Sequence, residues 1–430
     1  MNYFGIGPAH TPGTTVFKDI YELKPAHFAI FNKYGLFTHG YWKFVNKPHL
    51  DSFNETCMKV KFLLEDSIKN NLVSEVPFCS FLSGGLDSSI ITAYASKYCN
   101  DNGLPTLKTF SVDYLDNDKN FVKSDFQPNS DNYYINLMVE KYKTNHTNII
   151  LDTPDLANYL EDSMIARDVP GMADVDSSLL LFCKNVKPYA TVALSGECAD
   201  EIFGGYPWFF RDDALNSNTF PWSIALSERQ HLLHTDISKK INLKEYIDFR
   251  YNESLANVEI LDTDSKETAE KRKISYLTLN WFMQTLLDRS DRCSMYNGLE
   301  IRVPFCDYRL AQYLWNIPWE MKTYKGREKG LLRHIMKDIL PSEIIDRKKS
   351  PYPKTHNPTY LKNMLTNIMN NSSSPIHNIL NRSYILEILE SDGSAFTRPW
   401  FGQLMTGPQL MAYLCQVNMW LEKYQPTIEL

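Results

Sequence analysis

Apolar and polar positions follow two different periods along this chain, and the change of period divides it. Residues 27–44, HFAIFNKYGLFTHGYWKF, hold two apolar-aromatic runs around Asn32-Lys33-Tyr34-Gly35, a hairpin signal, so the chain to about Phe44 reads as β structure. A hairpin this short cannot stand alone and must pack on something else. The period then becomes helical. Ser52 and Glu55 form a capping box, and Phe53, Cys57, Val60, Leu64 and Ile68 fall on one face. Four short apolar runs follow at 76–82, 106–112, 147–151 and 191–195, each suited to a buried parallel strand. Helical spacing fills 88–98, 132–143 and 155–166 between them. Such alternation predicts an α/β fold built on an open, doubly wound parallel sheet. From about 212 the strand pattern stops, and 267–297 and 406–423 read as helix, which predicts a mainly helical C-terminal part.

The polar, aperiodic stretch 115–131 is expected to be a lid or a disordered segment. NNSSSPIHN (370–378) reads as a surface loop between helices, and no internal repeat is evident. The expected division is a β segment at 1–48 and a larger unit at 49–430. Within the larger unit, an α/β core occupies about 75–210 and a helical part about 212–430.

Composition narrows the function classes. At 430 residues the chain has room for two or three domains. The net charge of −6 argues against a nucleic-acid or anionic-membrane partner. No apolar run approaches the ~20 residues of a membrane span. MNYFGIGPAHTPGTT lacks the charged and apolar regions of a signal peptide, so a cytoplasmic location is expected. The eight cysteines form no CxxC pair, which predicts reduced, mostly buried thiols. The histidines show no HxxE or HxxxH grouping, so no zinc site is expected.

Two of the four strands end in similar polar bursts. The first is Ser83-Gly84-Gly85-Leu86-Asp87-Ser88-Ser89 and the second Ser195-Gly196-Glu197-Cys198-Ala199-Asp200-Glu201. In a parallel sheet, ligands bind beyond the carboxyl ends of the strands. Glycines admit close approach of an anion, the first N–H groups of the following helix point at it, and serine hydroxyls add donors. Asp87 is the odd member, because a carboxylate beside a polyphosphate is repelled unless a divalent cation lies between them. Asp200 supplies a second candidate oxygen ligand, which matches the one or two carboxylates that Mg²⁺ usually takes. The loop lacks the lysine of GxxxxGK[ST], so it is not a Walker loop.

The loop resembles the PP-loop of ATP pyrophosphatases. Together with LLDRSDRCSMYNGLEIRVPFCDYRL (286–310), YKGREKGLLRH (324–334) and IIDRKKSPYPKTHNP (344–358), it resembles the synthetase domain of glutamine-dependent asparagine synthetases over roughly 50–430. Residues 5–44 look like the last strands of that family's glutaminase domain. The resemblance implies that the aspartate side-chain carboxylate attacks the α-phosphorus of ATP, releasing pyrophosphate, and that ammonia then displaces AMP to give asparagine. It implies Ser83, Gly84, Gly85, Asp87 and Ser88 for pyrophosphate, Asp87 and Asp200 for Mg²⁺, and Leu82, Val112, Ser195 and Gly196 for the adenosine pocket.

In the same way, Glu197 would face the acyl-adenylate and the incoming amine, and Lys329 would neutralise charge at the α-phosphate. A positioned cation at that point is worth several kcal/mol. Lys325, four residues earlier, competes for the assignment. Asp291, Arg292 and Arg302 are candidate substrate-pocket residues, with a buried salt bridge an equal reading for Arg302. Cys293 and Cys306 are expected to be packing residues. Arg347-Lys348-Lys349 reads first as a solvated charge run and second as a brace at the polyphosphate mouth.

The chain departs from the family pattern at residue 2, which is Asn where full-length members carry the nucleophilic cysteine; the first cysteine is Cys57. The expectation is therefore that this chain does not hydrolyse glutamine. Ammonia would come free or from a separate glutaminase chain docked on the hairpin edge at 26–44. The partners expected are thus aspartate and ammonia as substrates, that glutaminase chain, and a second copy in a homodimer. Two alternatives stand beside this reading. One is a related ligase that adenylates another acid, of β-lactam or peptide-tailoring type; the other is a non-catalytic ATP-binding assembly subunit.

Overall fold

The computed structural model describes residues 2–115, 131–350, 352, 359–394, 396 and 398–428. The interior of the expected lid over 115–131, and Pro351 and 353–358 of the basic segment, lie outside the described residues. Two strands, β1 (His27–Asn32) and β2 (Gly35–Gly40), form the predicted hairpin with Lys33-Tyr34 as its tip. Five more strands build one parallel sheet: β3 (Phe78–Phe81), β4 (Lys108–Tyr114), β5 (Asn145–Leu151), β6 (Val192–Leu194) and β7 (Glu300–Arg302). Their order is β5-β4-β3-β6-β7, so the chain reverses its direction of winding between β3 and β6. That switch point is where a crevice opens in a doubly wound sheet.

Six helices position the site: α1 (Phe53–Asn71), α2 (Leu86–Asp101), α3 (Asp131–Tyr142), α4 (Asp174–Val186), α5 (Met283–Met295) and α6 (Gly330–Met336). The capping box of α1 forms as expected, with the Glu55 carboxylate accepting from the Ser52 N–H at 2.8 Å. One face of the sheet packs Ile90 and Ile91 of α2 together with Leu64 of α1 and Leu332 of α6. The other packs Phe110 and Ile149 against Leu180 and Cys183 of α4. A third apolar cluster fills the helical part around Trp281, Trp400, Phe401 and Tyr413.

Three features differ from the sequence-based expectation. The sheet has a fifth strand, β7, only three residues long and polar at both ends, too short for alternation to register. Helix α4 also went unanticipated; its first turns carry Asp174, Asp176, Ser177 and Ser178, all buried, so its polar residues do not mark a solvent face. The N-terminus is not β structure throughout. It starts with a short helix, Asn2–Gly5, and Ile6 and Ala9 are fully buried in the helical part's core. The Arg229 guanidinium fixes this segment, donating to the carbonyls of Phe4 (3.1 Å), Gly5 (2.7 Å) and Trp400 (2.6 Å). Only residues 27–40 pair as a hairpin, with Phe31, Tyr34 and Leu36 well exposed. Among the described residues no helix is long and apolar enough to cross a membrane.

Candidate active site

Beyond the carboxyl ends of β3 and β6 lies a cavity of about 260 Å³, lined by both polar bursts and by side chains of the helical part. The first burst turns sharply into α2. Gly84 takes φ +68°, and a Cβ there would sit 2.7 Å from the Tyr134 Cβ and 2.8 Å from the Ile135 nitrogen. Gly84 thus seats the turn on α3 and does not itself line the cavity, unlike Ser83, Gly85, Asp87 and Ser88. The hydroxyls of Ser83 and Ser88 lie 3.0 Å apart, and the Ser83 N–H donates to the Ser88 Oγ at 3.2 Å. The second burst presses against the first: a Cβ on Gly196 would meet the Ser88 nitrogen at 2.7 Å. Leu82, Val112, Ser195 and Gly196 all line the cavity.

Charge is concentrated between the two loops. The Lys329 Nζ lies 2.6 Å from Asp87 Oδ2 and 2.5 Å from Asp200 Oδ1, and Lys349 lies 2.5 Å from Asp200 Oδ2. Lys329 is 3% exposed, so this is a buried cation between two carboxylates. Burial raises the Asp87 pKa, and the pull of Lys329 does not fully offset it. For Asp200 burial also pushes upward, but Lys329 and Lys349 together draw its pKa down to about 2. Asp87 Oδ1 is buried without a hydrogen-bond partner among the described residues. An unpaired, buried carboxylate oxygen facing a second carboxylate is the donor set a divalent cation uses when phosphate oxygens complete its shell. No group of three or more acidic, histidine or cysteine side chains offers a self-sufficient metal site among the described residues.

Glu197 also lines the cavity. Its Oε2 accepts from the Ser290 Oγ at 2.5 Å, and Arg289 Nη1 lies 3.8 Å from its Oε1. Burial raises its pKa against the lowering charge of Arg289, while a quarter of the side chain still faces the cavity. Arg289 is itself held by Asp176, at 2.9 Å from Nε to Oδ1. Asp176 also takes Arg167 at 2.9 Å, and Arg167 reaches Asp288 at 2.8 Å. This array of alternating charge fixes the arginine beside Glu197.

The asparagine synthase family matches residues 59–422, a span that contains both loops, Glu197 and Lys329. The chain belongs to the asparagine synthase family. It is 49% identical over 429 residues to the glutamine-hydrolysing asparagine synthetase 3 of Bacillus subtilis, covering 99% of this chain and 70% of that protein. It is 29% identical over 389 residues to asparagine synthetase 1 of the same organism, covering 81% of this chain and 58% of the relative. Amidase chry2 of Gibberella zeae is 23% identical over 409 residues, covering 79% of this chain and 59% of that protein. Membership makes this chain a ligase.

Not every predicted residue of this family member reaches the cavity. Asp291 and Arg292 are exposed on the far face of α5, where Arg292 pairs with Asp288 at 3.4 Å. Arg302 does not line the cavity either. It ends β7, donating to the carbonyls of Asn71 and Val73 at 2.8 Å each and pairing at 2.8 Å with Glu300, whose side chain is exposed, so it forms a salt bridge but not the buried one expected. Lys325 sits over the Tyr324 ring and does not line the cavity, which leaves Lys329 as the lysine there from that segment.

The preferred reading of residues 347–349 as a solvated run is corrected. Arg347 is buried, donates to the Ser83 carbonyl at 3.1 Å and pairs with Asp131; Lys349 pairs with Asp200, and Lys348 lines the cavity while remaining exposed. Cys293 is buried as expected, and Cys306 is half-buried. Sequence reasoning missed Arg289 and Ser290. The signal was available: Phe282, Leu286 and Arg289 recur at helical spacing and all line the cavity, and Asp291 and Arg292 fall outside that stripe.

Proposed function

We propose that this chain is an asparagine-forming ligase that activates aspartate as an acyl-adenylate and then aminates it with ammonia. The side-chain carboxylate of aspartate attacks the α-phosphorus of ATP, the bond from that phosphorus to the bridging oxygen breaks, and pyrophosphate leaves. Ammonia then adds to the acyl carbon, the bond to the AMP oxygen breaks, and the surplus proton of the amine is lost. The observation that carries this reading is the single cavity that brings Lys329, both loop carboxylates and Glu197 to one place.

Ser83, Gly85 and Ser88 bind the departing pyrophosphate through hydroxyls and backbone N–H groups. Lys329 places a buried positive charge where negative charge gathers around the α-phosphorus. Glu197, held by Ser290 and with its proton affinity raised by burial, accepts the proton of the adding amine. Asp87 and Asp200 are the residues that would hold a Mg²⁺ ion, whose chemistry there would be to neutralise the polyphosphate. Ammonia is taken from solution or from a glutaminase chain seated on the exposed hairpin 27–40.

ATP–pyrophosphate exchange with aspartate and a panel of other acids tests the first half. Exchange that depends on aspartate supports it. Exchange with a different acid reassigns the substrate, and none with any acid would sink the ligase mechanism. Release of glutamate from glutamine by the purified chain alone rules out the proposed ammonia source.

A further inference from the structure

The described residues hold a second, small cavity of about 20 Å³, set in the helical part away from the nucleotide loops. Lys271, Arg272 and Lys322 converge on it, with the hydroxyl residues Thr268 and Ser275 and the Trp315 ring in its wall. Two of the three cations are committed elsewhere. Lys271 donates to the Phe209 carbonyl at 2.5 Å and lies 5.3 Å from the Trp319 ring. Arg272 holds Asp264 through two bonds, of 3.0 and 2.8 Å, and donates to the Trp315 carbonyl at 3.0 Å. Lys322 is different. It is 6% exposed, and its ammonium has no hydrogen bond or ion pair among the described residues.

The nearby acids do not serve it. Asp264 is taken by Arg272, and Glu267 and Asp212 act on Lys271. A buried ammonium without a partner is unfavourable and either loses its proton or gains an anion. Burial, with the Arg272 charge adding to it, pulls the Lys322 pKa down to about 7, which is the state of the site with nothing in it. The cavity has room for roughly one water-sized body, so a phosphate or a carboxylate ligand is too large for it.

We propose that this cavity binds a monatomic anion of chloride's size, held by the Lys322 ammonium, the Thr268 and Ser275 hydroxyls and the flanking charge of Lys271 and Arg272. The site shares no lining residue with the active-site cavity but adjoins it along the chain. Lys322 ends the helix Trp319–Lys322, and Trp319 stacks on Phe209 at 5.3 Å between ring centres. The chain then runs seven residues on to Lys329. Anion binding is therefore expected to show first as stability of this helical wall.

The test is thermal unfolding of the 430-residue chain in chloride, in phosphate and in gluconate at equal ionic strength, with and without Lys322→Met. Chloride is expected to raise the melting temperature of the unsubstituted chain by a few degrees over gluconate. Lys322→Met is expected to abolish that difference and to melt no lower than the parent in gluconate, because it removes an uncompensated buried charge. Equal melting in chloride and gluconate overturns the proposal, as does a chloride effect that persists in Lys322→Met. Stabilisation by phosphate but not chloride overturns the monatomic assignment. If Lys322→Met does not fold, Ser275→Ala carries the test; its chloride midpoint must shift to higher concentration, and an unshifted midpoint counts against the site. In bromide-soaked crystals an anomalous peak beside Lys322 Nζ supports the assignment, and no peak there overturns it.

Discussion

The two strand-end loops look alike in sequence, yet the fold treats their aspartates in opposite ways. Asp87 and Asp200 both meet Lys329, at 2.6 and 2.5 Å. Asp200 has a second cation, Lys349, and its pKa falls to about 2 against the upward push of burial. Asp87 forms no second ion pair, the Lys349 charge acting on it only weakly, and its pKa rises because burial wins. One carboxylate is already satisfied by protein charge, and the other waits for something positive. The residue type does not set the role; the number of cations within reach does.

Removing the shared cation should break the comparison outright. Lys329→Met is expected to lower pyrophosphate exchange about 100- to 1,000-fold, the usual range for losing a group aimed at transition-state charge. It also leaves Asp87 buried without its cation, so urea titration should register a loss of about 3–5 kcal/mol. Exchange that survives in a folded Lys329→Met protein would remove Lys329 from the chemistry.

The next effect separates the two loops. Asp87→Asn and Asp200→Asn should each cut exchange by about 100-fold, because each changes a carboxylate aimed at the phosphates. Their stabilities should diverge. Asp200 is depressed from 3.8 to about 2, so its contribution is present above pH 3.8 and is lost as pH falls through 2. Asp200→Asn should therefore cost about 2 kcal/mol at neutral pH. Asp87 is shifted upward and is a burden when ionised, so Asp87→Asn should be no less stable than the parent. Equal losses in denaturant titration would erase the distinction between the loops.

A smaller effect sharpens the comparison by moving one residue along. Glu201 is buried beside Asp200 and accepts from the Tyr206 hydroxyl at 2.6 Å; burial, then the Asp200 charge, raises its pKa from 4.5 to about 7. A raised pKa contributes stability below pH 4.5 that is lost as pH rises through 7. Glu201→Gln, which keeps an acceptor for Tyr206, should gain up to about 2–3 kcal/mol at pH 8 and flatten stability between pH 4.5 and 7. A parent chain that is equally stable across that window would contradict it.

How much of this was legible beforehand follows the range of the interactions. SGGLDSS and SGECADE are local: each follows a buried strand, and their glycines, hydroxyls and carboxylates announce an anion site within seven residues. The capping box on α1 and the two-residue hairpin tip are local too, and both formed. What escaped depends on distant partners. Arg347 looks like part of a charge run until Ser83 and Asp131, more than two hundred residues away, receive it. Helix α4 buries the polar Asp174, Asp176, Ser177 and Ser178 against its neighbours and exposes only Lys184 and Asn185, and β7 is three residues held by β6 alone. Ile6 and Ala9 were grouped with the hairpin because they precede it, yet Arg229 draws that segment into the helical core.

The smallest expected effect lies on α5, where sequence reasoning chose the wrong face. Asp291, two residues past Arg289, lies about 160° round the helix from it, and Arg292, three past, lies about 60° round on the solvent-facing flank. Arg289 is 3% exposed and paired with Asp176 beside Glu197, whereas Arg292 is half-exposed and only loosely paired with Asp288. An exposed ion pair at that distance contributes at most about 1 kcal/mol. Asp291→Ala and Arg292→Ala should leave stability within about 0.5 kcal/mol and leave kcat and KM for aspartate unchanged. Arg289→Lys keeps the charge but loses the fork that reaches Asp176 and Glu197 together, so its effect should appear in kcat and in the pH profile of the amination step. If Arg292→Ala instead raised KM for aspartate while Arg289→Lys left the pH profile untouched, the substrate would lie along the outer face of α5 and not in the cavity beside Glu197.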